Sequence, residues 1–389
     1  MMRTGILVTL ALALAAWSPG PATAATLTAH GVIDVTATGR GDGFYANTLT
    51  RGDNPFDPYG VRMFVESTVN PQFAVFGQVV LHDAVAPYVD GAYVMWTPRS
   101  DQDFHVMAGK IPWLIGTFAP RTYSDKNPLI GKPLLYQHHT SLVWFMAPPS
   151  ADALLASAGS GQVGVGYLGG AVRGMVPVDD SWWDTGIMAS GSLGKVEYSL
   201  GLTTGTPGWG NGGEDENRGK TTLGRLGFAP TPWLRFGASG AYGPYLVKDL
   251  GTPLPPNHRP EDYHQQIVMG DVEVLQGHAE LRAEGLANTW ETPNLGNLDV
   301  RGGYVEGKFT LTARLWAAAR WDALRFSDIT DSGGTAHSWD EDQDRIETGL
   351  GLRWDRNVIA KGVFQRNFMH GATTEHRADL YALQLTVLF

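Results

Sequence analysis

The sequence predicts an all-β protein, a closed antiparallel transmembrane β-barrel of about 18 strands, with about 16 as the alternative count. Three observations predict it. The chain ends on YALQLTVLF, in which Tyr381, Leu383, Leu385, Val387 and Phe389 alternate with the small or polar Ala382, Gln384 and Thr386. A period of two is strand geometry, so a strand runs to the last residue. Similar runs recur along the chain from residue 26 onward, and the links between them are mostly short on one side and long, polar or proline-rich on the other. A water-soluble sandwich has no reason to produce that asymmetry.

Composition narrows the class. At 43% hydrophobic residues and a mean hydropathy of −0.14 the chain is too polar for a helical membrane protein, while its 49 Gly and 41 aromatic residues (13 Trp, 13 Tyr, 15 Phe) suit tightly turning strands with interfacial side chains. The absence of Cys excludes disulfides, Cys-ligated zinc, iron–sulfur clusters and covalent c-type haem. A formal charge of −10 points away from a nucleic-acid partner. At the amino terminus Arg3, the apolar run GILVTLALALAAW, the breakers Ser18, Pro19, Gly20 and Pro21, and the A-x-A site Ala22-Thr23-Ala24 predict a signal peptide over residues 1–24. The barrel domain then occupies 25–389. The apolar run is shorter than the roughly 20 residues a spanning helix needs.

In order, the mature chain opens with a strand at 26–38 and a polar stretch to Pro58. YGVRMFVESTV and FAVFGQVVLHD meet at the turn Asn70-Pro71-Gln72, and 88–97 and 104–109 flank a second turn. Residues 109–140 then lose the period and hold prolines at 112, 120, 128 and 133. Strand-like runs resume at 141–146 and 162–172. Further pairs meet at Leu193-Gly194, Pro230-Thr231-Pro232, Gly277, near Leu311 and at Arg356-Asn357, before the closing strand. If 141–146 lies outside the wall, the count falls to the alternative of about 16.

Alternation also assigns faces. Leu315, Ala317, Ala319 and Trp321 oppose Arg314, Arg320 and Asp322, and Leu281 and Ala283 oppose Glu280, Arg282 and Glu284. Arg62, Glu66, Arg235, Glu347 and Arg353 complete the set expected to line the lumen. Burying an unpaired charge costs several kcal/mol, so this many inward charges predict a wide hydrated lumen rather than a packed core. Tyr93, Trp96, Trp144, Trp183, Trp233, Tyr242 and Trp354, near strand ends, are expected in interfacial girdles.

Short motifs carry little chemistry. GSGQVG (159–164) matches a dinucleotide fingerprint but precedes a strand instead of opening a helix. DEDQDR (340–345) begins like a calcium loop but has Arg345 where the turn glycine belongs. Arg51-Gly52-Asp53 reads as an incidental loop tripeptide. His138, His139 and Ser141 lie close in sequence without a placeable third group. No catalytic residue, metal site or cofactor is therefore expected.

Two stretches carry a resemblance. YALQLTVLF resembles the closing strand of Gram-negative outer-membrane β-barrels, whose assembly machinery reads a terminal aromatic and alternating hydrophobics. The resemblance implies short periplasmic turns, long extracellular loops, a wall against outer-membrane lipid and lipopolysaccharide, and an assembly signal at Tyr381, Leu383, Leu385, Val387 and Phe389. Residues 109–140, with Gly109-Lys110, Pro112, Gly116 and a later NPL/PL/Tyr run, resemble the G-K-x-x-x-P/G segment of phosphate-selective-porin-like barrels, departing in spacing. In such porins a long early loop narrows the lumen, which makes Lys110, Arg121, Asp125, Lys126 and Lys132 candidates for a constriction. Phosphate selectivity does not carry over, because the lumenal cations are interleaved with acids. The expected function is a passive channel for small hydrophilic solutes or ions. The alternatives are a sheath or conduit for a secreted polymer or electron carrier, and a barrel phospholipase or protease. A homotrimer is left open.

Overall fold

The computed structural model describes residues 26–40, 59–82, 87–159, 162–165, 171–179, 183–208, 218–371 and 375–389. The expected signal peptide and Arg51-Gly52-Asp53 lie outside them. Within the described residues sixteen strands form one closed antiparallel barrel. The first part of the wall is β1 (Thr26–Arg40), β2 (Tyr59–Asn70), β3 (Phe73–His82), β4 (Tyr88–Trp96) and β5 (Phe104–Pro112). After a long interruption come β8 (Trp183–Leu193), β9 (Val196–Thr203), β10 (Thr221–Thr231), β11 (Leu234–Pro244), β12 (His264–Gln276), β13 (Ala279–Thr292), β14 (Gly296–Thr310) and β15 (Leu315–Phe326). The last three are β18 (Asp342–Arg353), β19 (Val358–His370) and β20 (Glu375–Leu388). Closure comes from β20 pairing with β1, Val35 opposite Leu385 and Ala37 opposite Leu383. Every backbone ladder is then satisfied within the wall, the condition for crossing lipid as strands.

Sixteen is the smaller of the two expected counts, and two local outcomes account for it. Residues 141–146 are not a strand: Leu142 and Val143 are buried inside the barrel, packed instead of paired. Residues 162–172 give only β6 (Gln162–Val165) and the start of β7 (Ala171–Arg173), which pair with each other as a separate ribbon. A second ribbon, β16 (Asp328–Thr330) with β17 (Ala336–Ser338), sits in the link before β18.

The period-two pattern sets the two faces. On β20, Tyr381, Leu383 and Leu385 are 60%, 67% and 45% exposed, whereas Ala382 and Thr386 are buried. Outward Leu200, Leu226, Val268, Leu281, Val305, Trp321 and Leu350 continue an apolar outer surface around the wall, far larger than a water-facing monomer exposes. At the seam, backbone bonds join Phe389 and Gly31 in both directions, and the Phe389 ring covers Gly31 where a Cβ would collide with it. Trp96, Trp233, Tyr242 and Trp354 are exposed near strand ends. Three of the expected girdle aromatics are not there. Tyr93 and Trp183 turn inward and lie 6.2 Å apart, and Trp144 belongs to a lumenal segment. An inward pocket made by Gly91, where a Cβ would meet the Trp183 ring, is what admits that indole.

Candidate constriction in the barrel lumen

The non-periodic stretch after β5 does not run over the rim. Residues 113–148 fold into the lumen, where Trp113, Ile115, Phe118, Leu129, Leu134, Leu135 and Tyr136 are each no more than 1% exposed. Wall residues Met188, Leu223, Ile267, Met269, Leu286, Trp290 and Leu324 share one apolar cluster with all of these but Leu129, which packs with Ala318, Val363 and Ala382. The lumen is accordingly far more packed than the inward charges implied. Under the segment, Glu284, Arg320, Asp322 and Glu347 are paired or hydrogen-bonded, which removes their need for water.

The wall carboxylates seat the segment. Four prolines deny it a regular ladder, so its N–H groups need other acceptors. Glu284 on β13 accepts from Thr117 N and Oγ1, from Phe118 N (2.9 Å) and from the Tyr136 hydroxyl (2.6 Å). Gly131 N donates to Glu347 (2.8 Å), Leu134 N to Asp322 (3.1 Å) and Gly116 N to the Ser239 hydroxyl (3.0 Å). In the other direction Lys361 Nζ donates to the carbonyls of Ser124, Asn127 and Leu129, and Arg345 donates to the Lys132 carbonyl and the Gln137 side chain. Beneath these contacts Arg320, with no exposed side-chain surface, bonds Glu306 (3.2 Å), Asp322 (3.3 Å) and Glu347 (2.6 Å). Arg121 of the segment pairs with Glu306 as well. Removing one partner from such a buried cluster costs about 3–5 kcal/mol.

Toward β2–β5 several inward charges keep partial exposure. Tyr123 reaches Gln78 on β3 (2.7 Å) with the Arg62 guanidinium over its ring. Asp90 lies within electrostatic reach of Lys110, Arg62, Asp179 and Lys132. Arg62 keeps 28% of its side chain exposed, Lys110 and Lys132 are half-buried, and Glu66 is exposed. Lys110 sits on β5 and donates to the Val89 carbonyl (3.2 Å), and Lys126 is exposed beside Asp125 (2.9 Å).

The remaining charges separate by depth. Glu284, Arg320, Asp322 and Glu347 are buried under the segment, while Arg282 pairs with Glu273 and Glu280 lower in the barrel. Arg235, 53% exposed, is 3.9 Å from Glu197 near the short-turn end. Arg314 lies in the turn before β15 instead of on a strand, and Arg353 closes β18. Glu306, Lys308 and Lys361 were not singled out from sequence; each falls on the inward parity of its strand, the parity that places Arg345 inward too, and that parity was the available signal.

The histidine pair has no catalytic geometry. His138 is buried with Nε2 unpartnered, and burial, then the nearby Arg345 charge, depress its pKa to about 3. His139 bonds the Gly174 carbonyl, and the Ser141 hydroxyl bonds Asp340 (3.2 Å) instead of either ring. Asp340 also accepts from Gly159 N and Glu341 N, so the acidic run clips loops together. Among the described residues no group of three His, Asp or Glu side chains could hold a metal ion.

A closed sixteen-stranded wall with an apolar exterior and an inward-folded segment defines the architecture of the outer-membrane porins. The solved structures agree. This chain is similar to the trimer form of OmpT, an outer membrane protein of Vibrio cholerae (11% identity, TM-score 0.56, 94% of this chain and 99% of that one). It is also similar to an anion-selective porin from Comamonas acidovorans (9% identity, TM-score 0.58, 94% and 100%) and to Salmonella typhi OmpF (10% identity, TM-score 0.56, 93% and 97%). No protein-family model and no curated protein matches the sequence.

Proposed function

We propose that this protein is an outer-membrane diffusion channel for small hydrophilic solutes or ions, delivered to that membrane through a cleaved signal peptide over residues 1–24. The observation that carries the reading is the half-filled lumen: a segment fixed to β13–β19, with charged groups left half-exposed toward β2–β5. Arg62, Lys110, Lys132, Asp90 and Asp179 would border the passage, and its mixed charge would set selectivity together with its width. The packed segment supports a narrow pore and counts against a sheath for a polymer, which would have to displace it. The buried, neutral His138 and the Ser141–Asp340 bond count against a barrel hydrolase. Homotrimeric assembly belongs to the same proposal, on the precedent of the trimer form among the similar structures, as does contact of the outer wall with lipid and lipopolysaccharide. The test is planar-bilayer recording of the purified, folded protein. Ohmic steps from the protein alone are expected; electrically silent barrels that migrate as folded would overturn the proposal.

A further inference from the structure

Below the inward segment, at the short-turn end, a cavity of about 430 Å³ opens between the segment and the wall. Arg121 and Lys126 come from the segment, Arg282 and Lys308 from β13 and β14, Arg314 from the turn before β15, and Arg353 from the end of β18. Only two carboxylates, Asp125 and Glu280, share that lining. Glu280 is occupied by both Lys308 (2.7 Å) and Arg282 (2.7 Å), Arg282 also holds Glu273, and Asp125 lies against Lys126. Arg314 and Arg353 have no carboxylate within salt-bridge distance among the described residues, and Arg121 keeps Nη1 without a hydrogen-bond partner. The aromatic floor is Trp316, with Lys308 5.7 Å above its ring.

We propose that this basin is a binding site for a compact oxyanion-bearing solute, a phosphate or a small polycarboxylate, entered from the short-turn face. The chemistry follows from the donor set. Guanidinium groups match carboxylate and phosphate oxygens in a bidentate way, and four of them, Arg121, Arg282, Arg314 and Arg353, line this cavity, the last two with no competing acid. The volume falls in the range of small-ligand sites and well below that of a polymer conduit. Constriction and basin are distinct: the half-exposed charges beside Asp90 lie toward β2–β5, whereas this cavity lies under β13–β18.

The site does not depend on the conduction reading, so its test uses binding alone. Detergent-folded protein is titrated calorimetrically with inorganic phosphate and, separately, with citrate. Saturable binding of at least one is expected, weakening steeply with salt, and which one binds assigns the source of the oxyanion. The double variant Arg314→Gln/Arg353→Gln should bind at least about tenfold more weakly, a loss of about 1.4 kcal/mol or more. Arg235→Gln, which removes a cation at the same end outside the basin, should leave binding unchanged. Both altered residues lie at turns, and heat-modifiable migration verifies folding. No saturable binding of either anion, or equal weakening by the double variant and Arg235→Gln, overturns the proposal.

Discussion

Glu284 is where the seating of the inward segment is most concentrated, and Glu284→Ala is the perturbation that examines it. The side chain is 3% exposed and accepts four hydrogen bonds, two from backbone N–H groups and two from hydroxyls, spanning residues 117–136 of the segment. A hydrogen bond to a charged group contributes about 1.5–3 kcal/mol, so full loss would approach about 6–12 kcal/mol if nothing relaxed. Relaxation intervenes: an alanine opens room for water, and the orphaned donors recover part of their bonding. A net loss of about 3–5 kcal/mol, the usual figure for breaking one buried polar partnership, is the working expectation. Gly131 N–Glu347, Leu134 N–Asp322 and the three Lys361 contacts remain. The variant should therefore free the first half of the segment while the barrel itself persists. Single-channel recording should show larger, noisier currents than wild type, and limited proteolysis should cut within 113–122. Wild-type conductance together with wild-type protease resistance would refute the claim that this carboxylate holds the segment.

Other expectations concern register, charge state and closure. Leu385→Arg, on the outward face of β20, should cost about 2–4 kcal/mol in urea unfolding from vesicles, whereas Gln384→Glu, lumenal and opposite Lys361, should be tolerated; equal damage would mean the faces are misassigned. Because the native pKa of His138 is depressed to about 3 from 6.5, the unfolded or opened state binds more protons between those values. The segment should hold above pH 6.5 and loosen as pH falls toward 3, seen as rising conductance, and His138→Gln should flatten that dependence. Deleting Phe389 removes the ring over Gly31 and the backbone pair at the seam; insertion at wild-type levels would speak against its role in assembly.

How much was legible in sequence depends on whether a residue's surroundings were local. Strand faces were readable because the pleat repeats every two residues whatever lies opposite, and Leu383 out with Ala382 in follows from that alone. Apolar content did not separate wall from filling: SLVWFM reads as a strand, yet Leu142 joins the lumenal cluster and Trp144 packs against it, because a non-local apolar surface was waiting there. The girdle expectation failed at Trp183 for a similar reason, since the space left by Gly91 two strands away decides which way the indole packs. Long-range pairs such as Arg121 with Glu306 have no spacing to read.

The charges carry the deeper correction. A ladder of Arg, Asp and Glu on inward faces predicts a hydrated lumen, yet water is only one way to satisfy such groups. The stretch 113–148 contains Pro120, Pro128, Pro133 and Pro148, which deprive it of its own ladder, and Glu284, Asp322 and Glu347 stand where its free N–H groups arrive. Each solves the other's problem: the wall carboxylates gain donors and the segment gains acceptors, at a depth where neither finds enough solvent. Arg320 pairs with Glu306, Asp322 and Glu347, Lys361 holds three carbonyls of the segment, and Glu284 is met by neutral donors alone. On β2–β5 the segment is met at Gln78, through the Tyr123 hydroxyl. Arg62 and Lys110 stay partly exposed, and with Asp90 they form the charged edge left for a solute. The asymmetry of the lumen thus follows from which strands carry acceptors for a proline-interrupted chain.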